Sequence, residues 1–180
     1  MPRETPVYSP DAEVQSELVL GVLGAMGAFR SIALEILAEN GIDGPRPGLW
    51  YPLRAWLSTL DSVSRRVGPS TLFLIARQIP TSAIIPPEID TIEKALAGLD
   101  RAYHAAHRFG EVGSYTYVRV GARAAKIVCR NPYPCDFDRC IIEALARRFE
   151  PDNAYLDIHH DDPSHCKKAG ADACIYSVGW

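Results

Sequence analysis

The stretch His165-Cys166-Lys167-Lys168-Ala169-Gly170-Ala171-Asp172-Ala173-Cys174-Ile175-Tyr176-Ser177-Val178-Gly179-Trp180 places a short polar turn between two cysteines. Alternation from Cys174 to Trp180 predicts a strand, and Tyr155 to His160 predicts another just upstream. Paired as a hairpin, these strands bring the two thiols to its mouth. There the thiols can share a metal, close a disulfide or stay free and pack.

Upstream of this ribbon, Asp136 is a suitable N-cap for a helix reaching Phe149, after the stiff loop Asn131-Pro132-Tyr133-Pro134-Cys135. Before that loop the period is 2. Tyr115-Thr116-Tyr117-Val118-Arg119-Val120 alternates, and a second strand runs from Ala124 to Arg130 after the turn at Gly121. Further upstream the period is 3.6. A stripe of Ile89, Ile92, Leu96, Leu99, Tyr103 and His107 predicts a helix ending near Gly110. Leu53, Trp56, Leu57, Leu60, Val63 and Val67 predict another behind Pro52, and Ser70 to Gln78 a third. From Asp11 to Asn40 the pattern is one long helix behind a proline-bearing arm, residues 1–10. Gly21, Gly24, Ala25, Gly27 and Ala28 within it suggest close approach of another helix, internal or from a second subunit. The expected fold is α+β: N-terminal helices, then a β-β-α-β-β antiparallel sheet. Residues 1–48 are expected to form an arm and helix that could serve dimerisation, and 49–180 the main domain.

The chain has 180 residues, 47% hydrophobic and 23% charged, with a net charge of −3. At this length roughly 70% of the unfolded surface can be buried, so no staple is required for folding. The acidic balance argues against nucleic acid, which demands a basic footprint. The longest uncharged apolar run, Leu18 to Phe29, is twelve residues and predicts no membrane span. No basic start of an export signal precedes it, so a reducing cytoplasm is expected. Five cysteines then read as thiols or ligands before disulfides.

Zinc favours thiolate and imidazole in a tetrahedron. Cys166 and Cys174 supply half of one. Cys135, ahead of a helix N-terminus whose dipole favours a thiolate, is the best third ligand. His165, beside Cys166, can complete the set, as can Asp161 or Asp162. From the residues alone free thiols stand ahead of metal, because Cys-x7-Cys is not a CxxC knuckle. Cys140 projects away from the expected helix core, and Cys129 reads as a small buried hydrophobe. His104 and His107 could hold a metal or a haem iron, but core or boundary packing is the plainer reading. Trp56, Phe73, Tyr103, His107, Tyr115, Tyr117 and Phe137 can wall a pocket for an apolar ligand, with ordinary core packing as the rival. Sequence signatures of hydrolases, P-loop enzymes, dinucleotide binders and zinc proteases are lacking, so no enzymatic activity is expected.

Gly110-Glu111-Val112-Gly113, the Asn131 to Phe137 loop, the helix after it and the terminal Cys-x7-Cys hairpin together resemble the 4-vinyl reductase domain. That family is related in fold to haem-NO-binding domains and to the small subunits of the TRAPP complex. The resemblance spans roughly Ser70 to Trp180. It implies a small-molecule sensor whose aromatic or tetrapyrrole-like ligand lies between the Ile89 to Phe109 helix and the sheet. A homodimer through the N-terminal helix is implied as well. The hairpin is similar to the zinc-bearing hairpin of phenol-sensing regulators, in which an upstream cysteine and a glutamate join the pair. That implies zinc on Cys135, Cys166 and Cys174. Pro163 stands at the glutamate position. The haem-NO-binding signature Tyr-x-Ser-x-Arg is also departed from, since Tyr117 occupies the serine position between Tyr115 and Arg119. Haem is therefore expected less than zinc. A TRAPP-like scaffold and a haem- or tetrapyrrole-binding accessory protein are the alternative readings.

Overall fold

The structure, a computed structural model, describes residues 8–150 and 155–180. The first seven residues of the expected arm lie outside the described ones. In chain order the elements are β1 (Glu13–Gln15), α1 (Ser16–Met26), α2 (Arg30–Glu39), β2 (Trp50–Pro52), α3 (Leu53–Arg66) and α4 (Ser70–Ser82). These are followed by α5 (Ile92–Ala97), α6 (Leu99–Ala105), β3 (His107–Arg108), β4 (Ser114–Gly121), β5 (Ala124–Arg130), α7 (Cys135–Arg148), β6 (Asp157–His160) and β7 (Cys174–Gly179).

The four longer strands form one antiparallel sheet in the order β4-β5-β7-β6. This is the expected β-β-α-β-β unit, with the terminal ribbon in the same sheet as Tyr115 to Val120. A second, three-stranded sheet, β2-β1-β3, was not legible in the sequence. Strands of two or three residues carry too few side chains to show a period.

Helix boundaries moved where glycine intervened. The expected single helix over 11–40 starts as a strand and breaks into α1 and α2 at Gly27, whose φ of +42° suits a residue without Cβ. The expected helix over 89–109 is two short helices hinged at Gly98, and His107 belongs to β3 rather than to a helix.

The glycine-rich run has an internal neighbour. A Cβ on Gly21 or Gly24 would lie 3.8 or 3.9 Å from Ile79 or Gln78 of α4. α4 is thus an internal neighbour of Gly21 and Gly24, while Gly27 and Ala28 stay exposed, and nothing here supports the homodimer expected through this run. The segment Ser16–Glu39 is 24 residues long and holds an 18-residue window of mean hydropathy 1.6, enough by length and composition to cross a bilayer, unlike the twelve-residue run alone. Here its Val19, Val22, Leu23, Met26, Ala33, Ile36 and Leu37 are buried in the core. They join Trp56, Leu60, Ile75, Leu96, Ile127, Phe137, Ile142 and Tyr176 in one continuous cluster.

Candidate metal centre and buried aromatic cluster

The terminal ribbon, the start of α7 and the end of β6 converge. Cys135 is the first residue of α7, His160 the last of β6, Cys174 the first of β7, and Cys166 lies in the loop between those strands. Their ligand atoms all fall within 4.8 Å of one another. Four ligands about 2.3 Å from a zinc ion stand roughly 3.8 Å apart, so this set closes on a tetrahedron with small adjustments. The three cysteines are buried, and Nε2 of His160 is buried without a hydrogen-bond partner. A buried imidazole nitrogen with an unused lone pair or an undonated proton is costly unless something binds it. Its ring is tilted against Tyr176, 4.4 Å between centroids, which fixes its direction.

The sulfurs are electrostatically unequal. Sγ of Cys135 and Cys174 lie 3.2 Å apart, and the backbone N–H of Lys167 donates to Cys174 Sγ. The hydrogen bond from Cys135 and that backbone N–H draw the Cys174 thiol down to about 7, against the opposing effect of burial. The same sulfur–sulfur bond, with burial, pushes Cys135 up. Of this pair Cys174 becomes thiolate before Cys135, and thiolate is the form a metal needs.

Four sequence expectations are resolved here. Cys135, Cys166 and Cys174 are brought together. His165 is not with them: its side chain is 81% exposed and its Nδ1 is 2.8 Å from Asp162 Oδ2. The turn at Asp162–His165 directs it to solvent, and His160 stands beside the three sulfurs instead. The alternatives Asp161 and Asp162 are likewise exposed, bound to Lys126 and Ser164. Cys140 does not project outward. It is buried, because α4 packs along the side of α7 that the single stripe had left for solvent.

A second constellation fills the middle of the molecule. Tyr103, His107, Tyr115, Tyr133 and Phe137 stack or meet edge-on, with centroid separations of 4.3 to 6.0 Å. Trp56 is fully buried, and its indole N–H meets no acceptor in hydrogen-bond geometry while still acting electrostatically on the Tyr133 hydroxyl. Tyr117 is half-buried with an unpartnered hydroxyl, and Phe73 lies apart under the Arg139 guanidinium. Rather than walling an empty pocket between the 89–109 segment and the sheet, these rings occupy it. Two open hollows lie elsewhere. They measure about 300 Å³ beside Pro10 and Phe109, and about 200 Å³ beside Glu143 and Leu156.

The Gly110–Gly113 turn seats this cluster. Tyr103 hydroxyl donates to the Val112 carbonyl, and Gly113 (φ +83°) lets the chain pass where a Cβ would stand 2.1 Å from the Arg130 carbonyl oxygen. His107 donates from Nδ1 to the Tyr103 carbonyl at 2.7 Å, so its Nε2 accepts from Tyr133 hydroxyl at 2.8 Å. Burial holds this imidazole neutral, with its pKa down to about 4.

A base whose folded pKa lies below its unfolded value loses stability as pH falls, because the unfolded chain takes up the proton first. Between pH 6.5 and 4, His107 is therefore expected to cost up to about 3 kcal/mol, and His107→Gln should flatten that arm of the urea-unfolding profile. An identical pH slope in the variant would refute the assignment.

No known family profile and no curated protein matches this chain. Solved structures do. An H-NOX protein from Shewanella oneidensis in the Fe(II)NO ligation state superimposes with a TM-score of 0.69 at 13% identity, over 91% of this chain and 97% of that one. The Fe(II) unliganded H-NOX protein from K. algicida gives 0.65 at 12% identity, over 92% and 95%. The IWP-051-bound H-NOX from Shewanella woodyi in the Fe(II)CO state gives 0.64 at 16%, over 91% and 93%. At these identities the likeness establishes the architecture: this chain has the H-NOX fold.

Proposed function

We propose that this chain is a non-catalytic sensory domain on the H-NOX fold, stapled by a Cys3His zinc centre and not built around haem. The observation that carries the reading is the convergence of Cys135, His160, Cys166 and Cys174 within 4.8 Å, with His160 Nε2 buried and unpartnered. Three thiolates and one imidazole closing all four positions is the donor set of a structural zinc site. Such a site needs reduced thiols, which a reducing cytoplasm supplies. The resemblance of the Cys-x7-Cys hairpin and its upstream cysteine to the 4-vinyl reductase domain supports the same metal.

The residues present do not fit haem. An axial imidazole must offer a free nitrogen, and His107, the buried candidate, has both nitrogens engaged by Tyr103 and Tyr133. His104 is half-exposed and bonded to the Asp100 carbonyl. The space beside His107 is taken by the rings of Tyr103 and Tyr133. The ligand class proposed is a small apolar aromatic molecule, which would exchange with one of these rings and use the unsatisfied Trp56 N–H. The filled interior favours one other reading, a scaffold without a ligand, as expected of a TRAPP-like subunit. A scaffold would show no thermal shift with any aromatic compound.

Elemental analysis and an absorption spectrum of the purified chain test the proposal together. One zinc per chain and no haem absorption after incubation with hemin are expected. A Soret band that His107→Ala abolishes, with no bound zinc, would overturn it.

A further inference from the structure

Lys167 connects the two constellations. It directly follows Cys166, and its backbone N–H donates to Cys174 Sγ at 3.5 Å, so its main chain belongs to the cysteine loop. Its side chain runs the other way. Nζ lies 2.7 Å from Asp138 Oδ2, 2.7 Å from the Tyr133 carbonyl oxygen, and 3.1 and 3.0 Å from the carbonyl and side-chain oxygens of Asn131. Asp138 is fully buried, and its Oδ1 accepts from the Tyr115 hydroxyl at 2.6 Å and from Asn131 Nδ2 at 3.2 Å. Tyr115 in turn meets Tyr103 edge-on at 5.1 Å. One side chain thus holds the loop before α7, the first turn of α7 and, through Asp138, a ring of the aromatic cluster.

We propose that Lys167 couples occupancy of the cysteine–histidine site to the arrangement of the buried tyrosines. This rests on the metal reading above. A bound metal fixes Cys166 and Cys174, and with them the short turn that starts at Lys167, so the ammonium stays seated among Asp138, Asn131 and Tyr133. Without the metal, Cys166 and Cys174 lose their shared tether, the ammonium withdraws, and Asp138, the acceptor of the Tyr115 hydroxyl, and the Tyr133 carbonyl lose the cation that holds them. Coupling of this kind is reciprocal: whatever orders the tyrosines also tightens metal binding. Lys167 is a positioning residue in this scheme, since only its backbone N–H approaches a ligand sulfur.

The test uses the full chain, stripped of metal with a chelator and titrated with zinc. Zinc binding is read by competition with a chromophoric chelator, and the tyrosines by near-ultraviolet circular dichroism. The wild type should lose its tyrosine signal on stripping and regain it at one equivalent of zinc. Lys167→Met combined with Asp138→Asn leaves no unpaired buried charge. It should still bind one zinc, with affinity lowered about 5- to 150-fold, the range of typical coupling, while its tyrosine signal no longer follows zinc. Lys168→Met, which removes an exposed pair with Asp136, is the control and should behave as wild type. Hydrogen exchange of the wild type decides the matter independently of how the variant folds, because protection at Tyr115 and at 131–138 should rise with zinc. Zinc that binds without changing either readout refutes the coupling, as does a double variant whose tyrosines still respond. A wild type that binds no zinc refutes instead the metal reading on which it rests.

Discussion

His160→Ala and Cys174→Ser are each expected to empty the metal centre and lower the melting temperature by roughly 10 °C, while His165→Ala leaves both metal content and stability unchanged. The magnitude follows from linkage. A metal present at about a thousand times its dissociation constant stabilises the folded chain by about 4 kcal/mol. A chain of this length shifts by about 2 to 4 °C per kcal/mol. The contrast between the two histidines comes from geometry. His160 presents a buried, unpartnered Nε2 beside three sulfurs, whereas His165 is exposed and already paired with Asp162. Calorimetry with metal analysis of the three variants checks this. A His165→Ala protein that lost its metal, or a His160→Ala protein that kept it at full affinity, would show that the fourth ligand has been misassigned.

What could be seen in advance divides along physical lines. The four-stranded sheet was legible because Tyr115 to Val120 and Cys174 to Trp180 alternate cleanly, and a two-residue period over six residues has few other interpretations. The three cysteines of the candidate metal centre were legible because each stands next to an element boundary: a hairpin mouth or a helix start. His160 was missed for a register reason. On its strand either His159 or His160 had to face inward, and only the pairing of His160 with Tyr176 across β6 and β7 decides which. Lys167 and Asp138 were missed because charged residues ordinarily read as solvated surface. The signal available was Asp138 three residues into α7 with Lys167 flanking Cys166, but a buried ion pair becomes visible only once the hairpin is docked. The expected pocket is filled by its own rings here, and for a related cause this was not legible. A list of aromatics describes a lined cavity and a filled core equally well, and Tyr133, left out of that list, is the ring that brings Phe137 and His107 into one packed cluster.

Asp138→Ala should destabilise the fold by about 3 to 5 kcal/mol, the cost of leaving one member of a buried pair unmatched. Asp138 has no exposed side-chain surface, and Lys167 only 15%. Burial pushes the Asp138 carboxyl up while Lys167, Tyr115 and Asn131 pull it down, so the carboxylate survives only because its partners are in place. Alanine removes the counter-ion of a largely buried ammonium and the acceptor of the Tyr115 hydroxyl. The single Lys167→Met variant leaves the opposite charge stranded and should cost a similar amount. Removing both charges together should cost far less than the sum, so urea unfolding of the double-mutant cycle should show a coupling of about 2 kcal/mol or more. The exposed neighbour pair, Lys168 with Asp136, sets the scale for comparison. Its members are 60% and 30% exposed, and its cycle should give under about 1 kcal/mol. Equal coupling energies for the two pairs would mean that water reaches Asp138 in solution, and the seat that Lys167 occupies between the metal loop and the tyrosines would then be too loose to hold either.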